Sequence, residues 1–284
     1  MKSPTFVSVH GGHSGQFCIH AADSLEEIVQ SYIAKNYTWV GITEHTPAIS
    51  ERLLAPDERE AGLSPEILLN RFDDYMRECR RLQHQYRGQI TIFASMEIES
   101  YSGYEEFIPH LIDTFRPDYI VGSVHFINDI GFDYSRQEYD RAVEKAGGKD
   151  QLYCQYFDLQ YEMIELLKPA VVGHFDLIRL FDKEYKRRLQ KPDIMSRIQR
   201  NLQLIKDLDL IMDYNLRSLL KGADEPYISR VILEMARELE IAVVPGDDSH
   251  GLSSIGPNMA AAVNTLADMG FNTNWPQPKL LSHR

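Results

Sequence analysis

Short apolar runs alternate with longer helical patterns along the whole chain. Seven windows read as strands: residues 6–10, 39–44, 91–98, 119–125, 170–175, 208–214 and 242–245. Several are apolar throughout, as strands covered on both faces must be. Between them, Asp23-Ser24-Leu25-Glu26 reads as a capping box that opens a helix running to about Lys35. Ser64-Pro65-Glu66 places a cap and then a proline at the first helical position, and that helix is expected to end near Gly88. Further helices are expected near 150–167, 193–206, 226–239 and 257–269. Residues 46–63 and 128–149 are rich in charge or glycine and read as long connections, lids or walls of a site. The alternation predicts βα units and a parallel sheet. No repeat and no linker interrupts it, so one domain over residues 1–284 is expected.

Composition narrows the picture. A chain of 284 residues that is 43% hydrophobic can build one large core, and α/β barrels reach this length as one domain. The net charge of -12 repels phosphate backbones, so no nucleic-acid partner is expected, although divalent ions would make one cleft locally positive. Cys18, Cys79 and Cys154 form no C-x-x-C pair, which fits reduced thiols in a cytoplasm. Met1-Lys2-Ser3-Pro4 is not followed by an apolar signal core, and no run nears the roughly 18 apolar residues of a membrane span. A cytoplasmic protein with no membrane partner is expected; its oligomeric state stays open.

The chemistry lies in where the histidines fall. Of ten, seven sit at or just past strand ends: His10, His13, His20, His45, His125, His174 and His250. Glu44, Glu97, Glu99, Asp176, Asp247 and Asp248 occupy the same places. The C-terminal strand ends of a parallel barrel converge on one face. Imidazoles and carboxylates gathered there are the donor set that zinc, iron and manganese accept. Without metal, so many carboxylates would repel one another. The set exceeds what one tetrahedral ion uses, which points to two or three divalent ions and to phosphate-ester hydrolysis.

Six motifs occur in order: Val9-His10-Gly11-Gly12-His13 through His20, Gly41-Ile42-Thr43-Glu44-His45, Met96-Glu97-Ile98-Glu99, Gly122-Ser123-Val124-His125, Val172-Gly173-His174-Phe175-Asp176 and Gly246-Asp247-Asp248-Ser249-His250. In this order and at strand ends they resemble the polymerase and histidinol phosphatase (PHP) superfamily, and within it the histidinol-phosphate phosphatases, from about Val7 to Gly256. The resemblance implies a distorted (β/α)7 TIM-like barrel with up to three divalent ions. It places metal ligands at His13, His20, His45, Glu97, His125, His174, Asp248 and His250, with Glu97 bridging. It implies a small phosphorylated metabolite as substrate, L-histidinol phosphate before others. Glu97, Asp248 and His250 become the catalytic candidates, the last two as groups that pass a proton to the leaving alkoxide. Glu99 is a candidate for orienting a ligand or for holding the positive end of the substrate.

Two departures from the family stand out. Its usual opening is H-x-H, and alignment through Ser14-Gly15 puts the first of those histidines at Gly11. His10 lies one place earlier, and a one-residue slip along a strand reverses side-chain direction. The expectation is that His10 reaches the metals through a local bulge or turn; the rival is an altered or weak metal site. In addition, the family segment N-T-S-[GA]-L-R-K reads here Asn215-Leu216-Arg217-Ser218-Leu219-Leu220-Lys221. Leu220 replaces the arginine and Arg217 is new. Arginine recognises phosphate bidentately, so Arg217 is the candidate phosphate contact, with Arg179 and Lys221 beside it.

Each of these residues also has a blander reading. A single histidine in such a place is more often a hydrogen-bonded core or surface residue, but seven at one barrel end are not. His84, His110 and His283 read as solvated, and Cys18 as packing. Asp176 reads as supporting or substrate-facing. A phosphatase for another small ester, or a phosphodiesterase, is the nearest alternative. A metal amidohydrolase is disfavoured by the Glu97 motif and the Asp248-Ser249-His250 ending, and a non-catalytic metal protein by the intact remaining ligands.

Overall fold

The apolar windows become seven parallel strands that wrap into a nearly closed barrel. They are β1 (Phe6–Gly11), β2 (Tyr37–His45), β3 (Thr91–Glu97), β4 (Ile120–Gly122), β5 (Val171–Val172), β6 (Ile211–Asn215) and β7 (Ala242–Gly246), paired in sequence order. The structure is a computed structural model that describes residues 5–282, so His283 lies outside the described residues. The first and last strands meet at their upper ends: the Asp248 N–H donates to the His10 carbonyl at 2.8 Å and the His13 N–H to that of Ser249 at 2.7 Å. These bonds bring the two ends of the chain's motif series together.

Helices cover the outside because each carries one apolar stripe. Leu25–Ala34 buries Leu25, Ile28, Val29 and Tyr32. Pro65–Gln85 buries Leu68, Phe72, Tyr75, Met76, Cys79 and Leu82, a run at helical spacing. Each such fully buried side chain is worth about 1.5–3 kcal/mol of transfer free energy. The helix expected from Ser64 is capped there, its Oγ accepting the Ile67 N–H. The expected Asp23–Glu26 box is shifted by one: Ser24 and Glu27 form it, each accepting the other's backbone N–H.

The four later helices appear as Lys149–Leu167, Pro192–Asp207, Arg230–Glu238 and Met259–Asp268. Residues 128–149 were expected to be a connection but contain the helix Arg136–Ala146, capped by Ser135. Residues 46–63 hold only a turn at Glu51–Leu53 and the short helix Pro56–Glu60. His84 and His110 are exposed, as expected. Among the described residues no helix is long and apolar enough to cross a membrane.

The expected strand at 119–125 pairs over only three residues and that at 170–175 over two. The chain leaves the ladder early there, which frees Ser123, His125 and His174 to turn toward the barrel mouth.

Candidate metal centre

Strand register places the first pair. In the regular β2–β3 ladder His45 lies opposite Glu97, and its Nδ1 is 3.2 Å from Glu97 Oε2. Glu97 is buried at the centre of the site. Around its carboxylate stand His10 Nε2 at 3.2 Å, His125 Nε2 at 3.4 Å, His174 Nε2 at 2.9 Å and, farther off, His13 Nε2 at 3.9 Å. The Ser123 hydroxyl donates to Oε1 at 2.6 Å. Asp248 Oδ1 lies 3.5 Å from both His13 Nε2 and His250 Nδ1. His20 is at the rim, its ring 5.4 Å from that of His45 and 5.0 Å from that of His250.

His10 enters this cluster through a break in the β1–β2 ladder. Ser8 pairs with Val40 and Gly11 with Ile42, so three steps on β1 match two on β2. That extra residue is a bulge, and it turns His10 inward. Position 11 could not carry a ligand in this geometry. A Cβ there would sit 2.8 Å from Val40 Cγ2 and 2.9 Å from both the Gly41 carbonyl and Tyr32 Oη. It points toward Val40 and Tyr32, not into the histidine cluster. A Gly11→Ala variant is therefore expected to lose about 1–3 kcal/mol of stability, and an unchanged thermal midpoint would contradict this packing. Gly246 answers the same need on the adjoining last strand, since a Cβ on it would meet Asp213 Oδ1 at 2.1 Å and His10 Cβ at 3.0 Å.

Outer carboxylates fix the rings. His10 Nδ1 is 2.9 Å from Asp213 Oδ2 and His13 Nδ1 is 3.0 Å from Glu44 Oε1. His125 Nδ1 is 2.8 Å from Glu99 Oε2. In the neutral rings these nitrogens donate, which turns the Nε2 lone pairs inward, the arrangement by which histidines bind metal. Nε2 of His10 and of His13 is buried without a hydrogen-bond partner. Such orphaned atoms beside carboxylates fit a divalent cation. Several overlapping triads have their ligand atoms within 4.8 Å of one another: His10–His13–Glu97, His10–His174–Asp248, His13–Asp248–His250 and His20–His45–His250.

Without an ion the cluster holds protons instead. Burial disfavours charge on His13, but Glu44 and Asp248 outweigh it and push its pKa up to about 9. Burial is likewise outweighed at His125 by Glu99 and Glu97, which push it up to about 10. Burial opposes ionisation of Glu97, Glu99 and Asp248, yet the imidazoles prevail and hold all three low, Glu99 at about 2. Metal loading near neutral pH is therefore expected to release protons, and affinity to keep rising up to about pH 9–10. Calorimetry in buffers of different ionisation enthalpy reads this, and no proton release would contradict it.

Linkage sets the stability of the metal-free chain. The raised imidazoles contribute fully below 6.5 and lose that contribution as pH rises through about 9 and 10. The depressed glutamates contribute above 4.5 and lose it as pH falls, Glu99 through about 2. The metal-free thermal midpoint is accordingly expected to peak between 4.5 and 6.5.

The cluster floors a cavity of about 410 Å³. Arg217 and Lys221 line it, as does Glu99. Arg217 lies close enough to His250 to oppose a charge on it. Arg179 does not line it, so the phosphate contact expected of it is not placed at the cavity. Its guanidinium is buried between the rings of Tyr185 and Tyr227, pairs with Asp176 at 3.2 Å, and donates to the carbonyls of Glu225 at 2.9 Å and Pro226 at 2.7 Å. Asp176 also accepts from the Ser229 N–H and hydroxyl, so the two residues hold the loop after β6. Asp247 lies buried beneath the site, bonded by Ser8 and Tyr32 at 2.7 Å each. Cys18 is buried, but its Sγ is 3.2 Å from His20 Nε2, so it stands beside the ligand loop as well as packing. Sequence reading missed Asp213, which orients His10, and the lining residues Arg71, Asp57, Glu58, Asp133 and Tyr134.

Comparison with known proteins agrees with this arrangement. The family model described as the PHP domain matches residues 11–216. The "Probable histidinol-phosphatase" of Schizosaccharomyces pombe is 35% identical over 271 residues, covering 94% of this chain and 88% of that protein. The histidinol-phosphatase of Saccharomyces cerevisiae is 27% identical, covering 87% of this chain and 84% of that protein. A Listeria monocytogenes crystal structure assigned as a histidinol phosphatase superposes with a TM-score of 0.77 at 26% identity, over 91% of this chain and 98% of that one. A histidinol phosphate phosphatase from Lactococcus lactis, solved with zinc, L-histidinol and phosphate, superposes with a TM-score of 0.68 over 95% of this chain and 94% of that one, and at 17% identity it speaks for the fold alone. With a family match across most of its length and relatives matched nearly end to end, the chain belongs to the PHP domain family.

Proposed function

We propose that the chain hydrolyses L-histidinol phosphate to L-histidinol and phosphate, as a one-domain metal-dependent phosphomonoesterase of the cytoplasm. The observation that carries the reading is Glu97: a buried carboxylate ringed by imidazoles, on the floor of a cavity whose lining includes Arg217 and Lys221. The end-to-end relatives named histidinol-phosphatase supply the substrate. His10, His13, His20, His45, Glu97, His125, His174, Asp248 and His250 are the residues that would hold two or three ions of zinc, iron or manganese. Divalent ions held there supply Lewis acidity to the phosphoryl oxygens and acidify water near neutral pH.

The chain's own groups do the rest. Arg217 and Lys221 offer cations to the phosphoryl oxygens. Water oxygen bonds to phosphorus as the ester P–O bond breaks. The electron pair stays on the alkoxide oxygen, which then takes a proton. Asp248, held ionised, and His250, held neutral, are the proposed relay: one accepts the proton that the attacking water gives up and returns it to the alkoxide. Burial and the nearby His13 hold the His250 imidazole neutral, and its Nδ1 donates to the Asp248 carbonyl at 3.0 Å, which sets the ring. Asn215 Nδ2 donates to Asp248 Oδ2 at 3.1 Å and to Asp213 Oδ2 at 2.9 Å, tying the proton-handling and ligand-orienting carboxylates together.

The test is phosphate release from L-histidinol phosphate before and after chelation and after zinc, iron or manganese is returned. Release that vanishes on chelation and returns with one of these metals is expected. Release indifferent to chelation would overturn the metal-dependent reading.

A further inference from the structure

The cavity lining carries a charge pattern that phosphate hydrolysis alone does not need. Glu58 and Asp133 line the same cavity as the metal cluster. Neither makes an ion pair with Lys or Arg among the described residues, and Arg71, a further cation of the lining, pairs with neither. Glu58 is partly buried, and among the described residues its carboxylate accepts only the Ala55 N–H, at 2.7 Å, as the cap of its own short helix. Asp133 has a buried Oδ1 with no hydrogen-bond partner. Glu58 lies within electrostatic reach of His45 and Glu99, and Asp133 within reach of His125, whereas Arg217 acts on His250.

Carboxylates left without a countercharge beside a phosphoester site repel the substrate's phosphate. That cost is offset only if something positive fills the space. The walls are also braced to keep the two groups in place. Arg52, at the start of the 46–63 segment, donates to Asp129 Oδ2 at 2.7 Å, and Asp129 in turn accepts the Ser102 N–H at 2.8 Å. Arg59 Nη2 donates to the Arg52 carbonyl at 2.7 Å, tying the Glu58 helix to the same brace.

We propose that Glu58 and Asp133 are specificity-determining residues that receive the cationic, non-phosphate end of the substrate, so that the cavity selects phosphate esters of amino alcohols over neutral or anionic esters. The proposal rests on the phosphomonoesterase reading above and deepens it. A site with two carboxylates waiting for a cation disfavours a neutral analogue because they are then left partly buried without a countercharge.

The experiment compares kcat/KM for L-histidinol phosphate, O-phosphoethanolamine, 4-nitrophenyl phosphate and glycerol phosphate in metal-loaded wild type, Glu58→Gln and Asp133→Asn. Gln keeps the bond to the Ala55 N–H and Asn is isosteric with Asp. The wild type is expected to favour the cationic esters. In each variant the ratio of kcat/KM for histidinol phosphate over 4-nitrophenyl phosphate is expected to fall at least about tenfold, and calorimetric binding of L-histidinol to weaken in parallel. A variant in which both substrates decline together, leaving the ratio intact, would show a merely structural role and overturn the proposal. If phosphoethanolamine rather than histidinol phosphate is favoured and the ratio for it falls in the variants, the proposal stands and the histidinol reading fails. If the wild type favours the neutral or anionic esters, both fail.

Discussion

Glu97→Gln is expected to lower kcat on L-histidinol phosphate by on the order of 10³-fold and to strip the protein of most of its metal. Glutamine is nearly isosteric, so packing survives while the negative charge disappears. Glu97 stands within 3.4 Å of imidazole nitrogens from His10, His45, His125 and His174, contributed by four different strand ends. Among the described residues no other carboxylate has imidazoles from four strand ends so near it. The variant also carries a stability signature. In the metal-free chain Glu97 balances protonated imidazoles, and removing one partner of a buried ionic cluster costs about 3–5 kcal/mol. The metal-free thermal midpoint is therefore expected to drop at near-neutral pH. Full metal content in Glu97→Gln, by elemental analysis, would mean that the ions sit elsewhere.

His10→Ala is the second large effect. It is expected to lose about one ion per chain and at least 10²-fold in kcat/KM, on the order of what loss of a well-placed acid–base or charge-stabilising group costs. Its companion is Asp213→Asn, which removes the carboxylate 2.9 Å from His10 Nδ1. Loss of a ring-orienting partner typically costs 10–100-fold in metal affinity, so that variant is expected to recover activity when metal is added in excess, whereas His10→Ala is not. Unchanged metal content in His10→Ala would show that the bulged histidine is a bystander and that the site lacks its first-strand ligand.

The seven strand windows and the histidines at their ends were legible because buried parallel strands are continuously apolar and the motifs follow them directly. The bulge that rescues His10 was visible only as a misplaced histidine before two glycines; which way the ring turned depended on the β1–β2 register, a long-range quantity. The helix Arg136–Ala146 escaped because it buries only Tyr139, Ala142 and Ala146, a face too small to show as an apolar stripe. Arg179 was misjudged on sequence proximity: it follows the His174 motif, but a short turn at Leu177–Arg179 sends it toward residues 225–226. Asp213 carried a signal that went unused, an aspartate that falls inside the strand Ile211–Asn215 two residues before Asn215. Glu58 and Asp133 fall in the two segments read as possible walls of a site, but nothing in those segments singled them out, because a five-residue helix and a connecting loop have no period from which an inward-facing side chain could be read.

The measurement that tests the central claim most directly is kcat/KM of the metal-replete protein for L-histidinol phosphate against a panel of sugar and alcohol phosphates. The account expects histidinol phosphate to stand far above the panel, at roughly 10⁴ M⁻¹s⁻¹ or more. Turnover of the panel at equal or higher efficiency, or no phosphate release from any member, would contradict it.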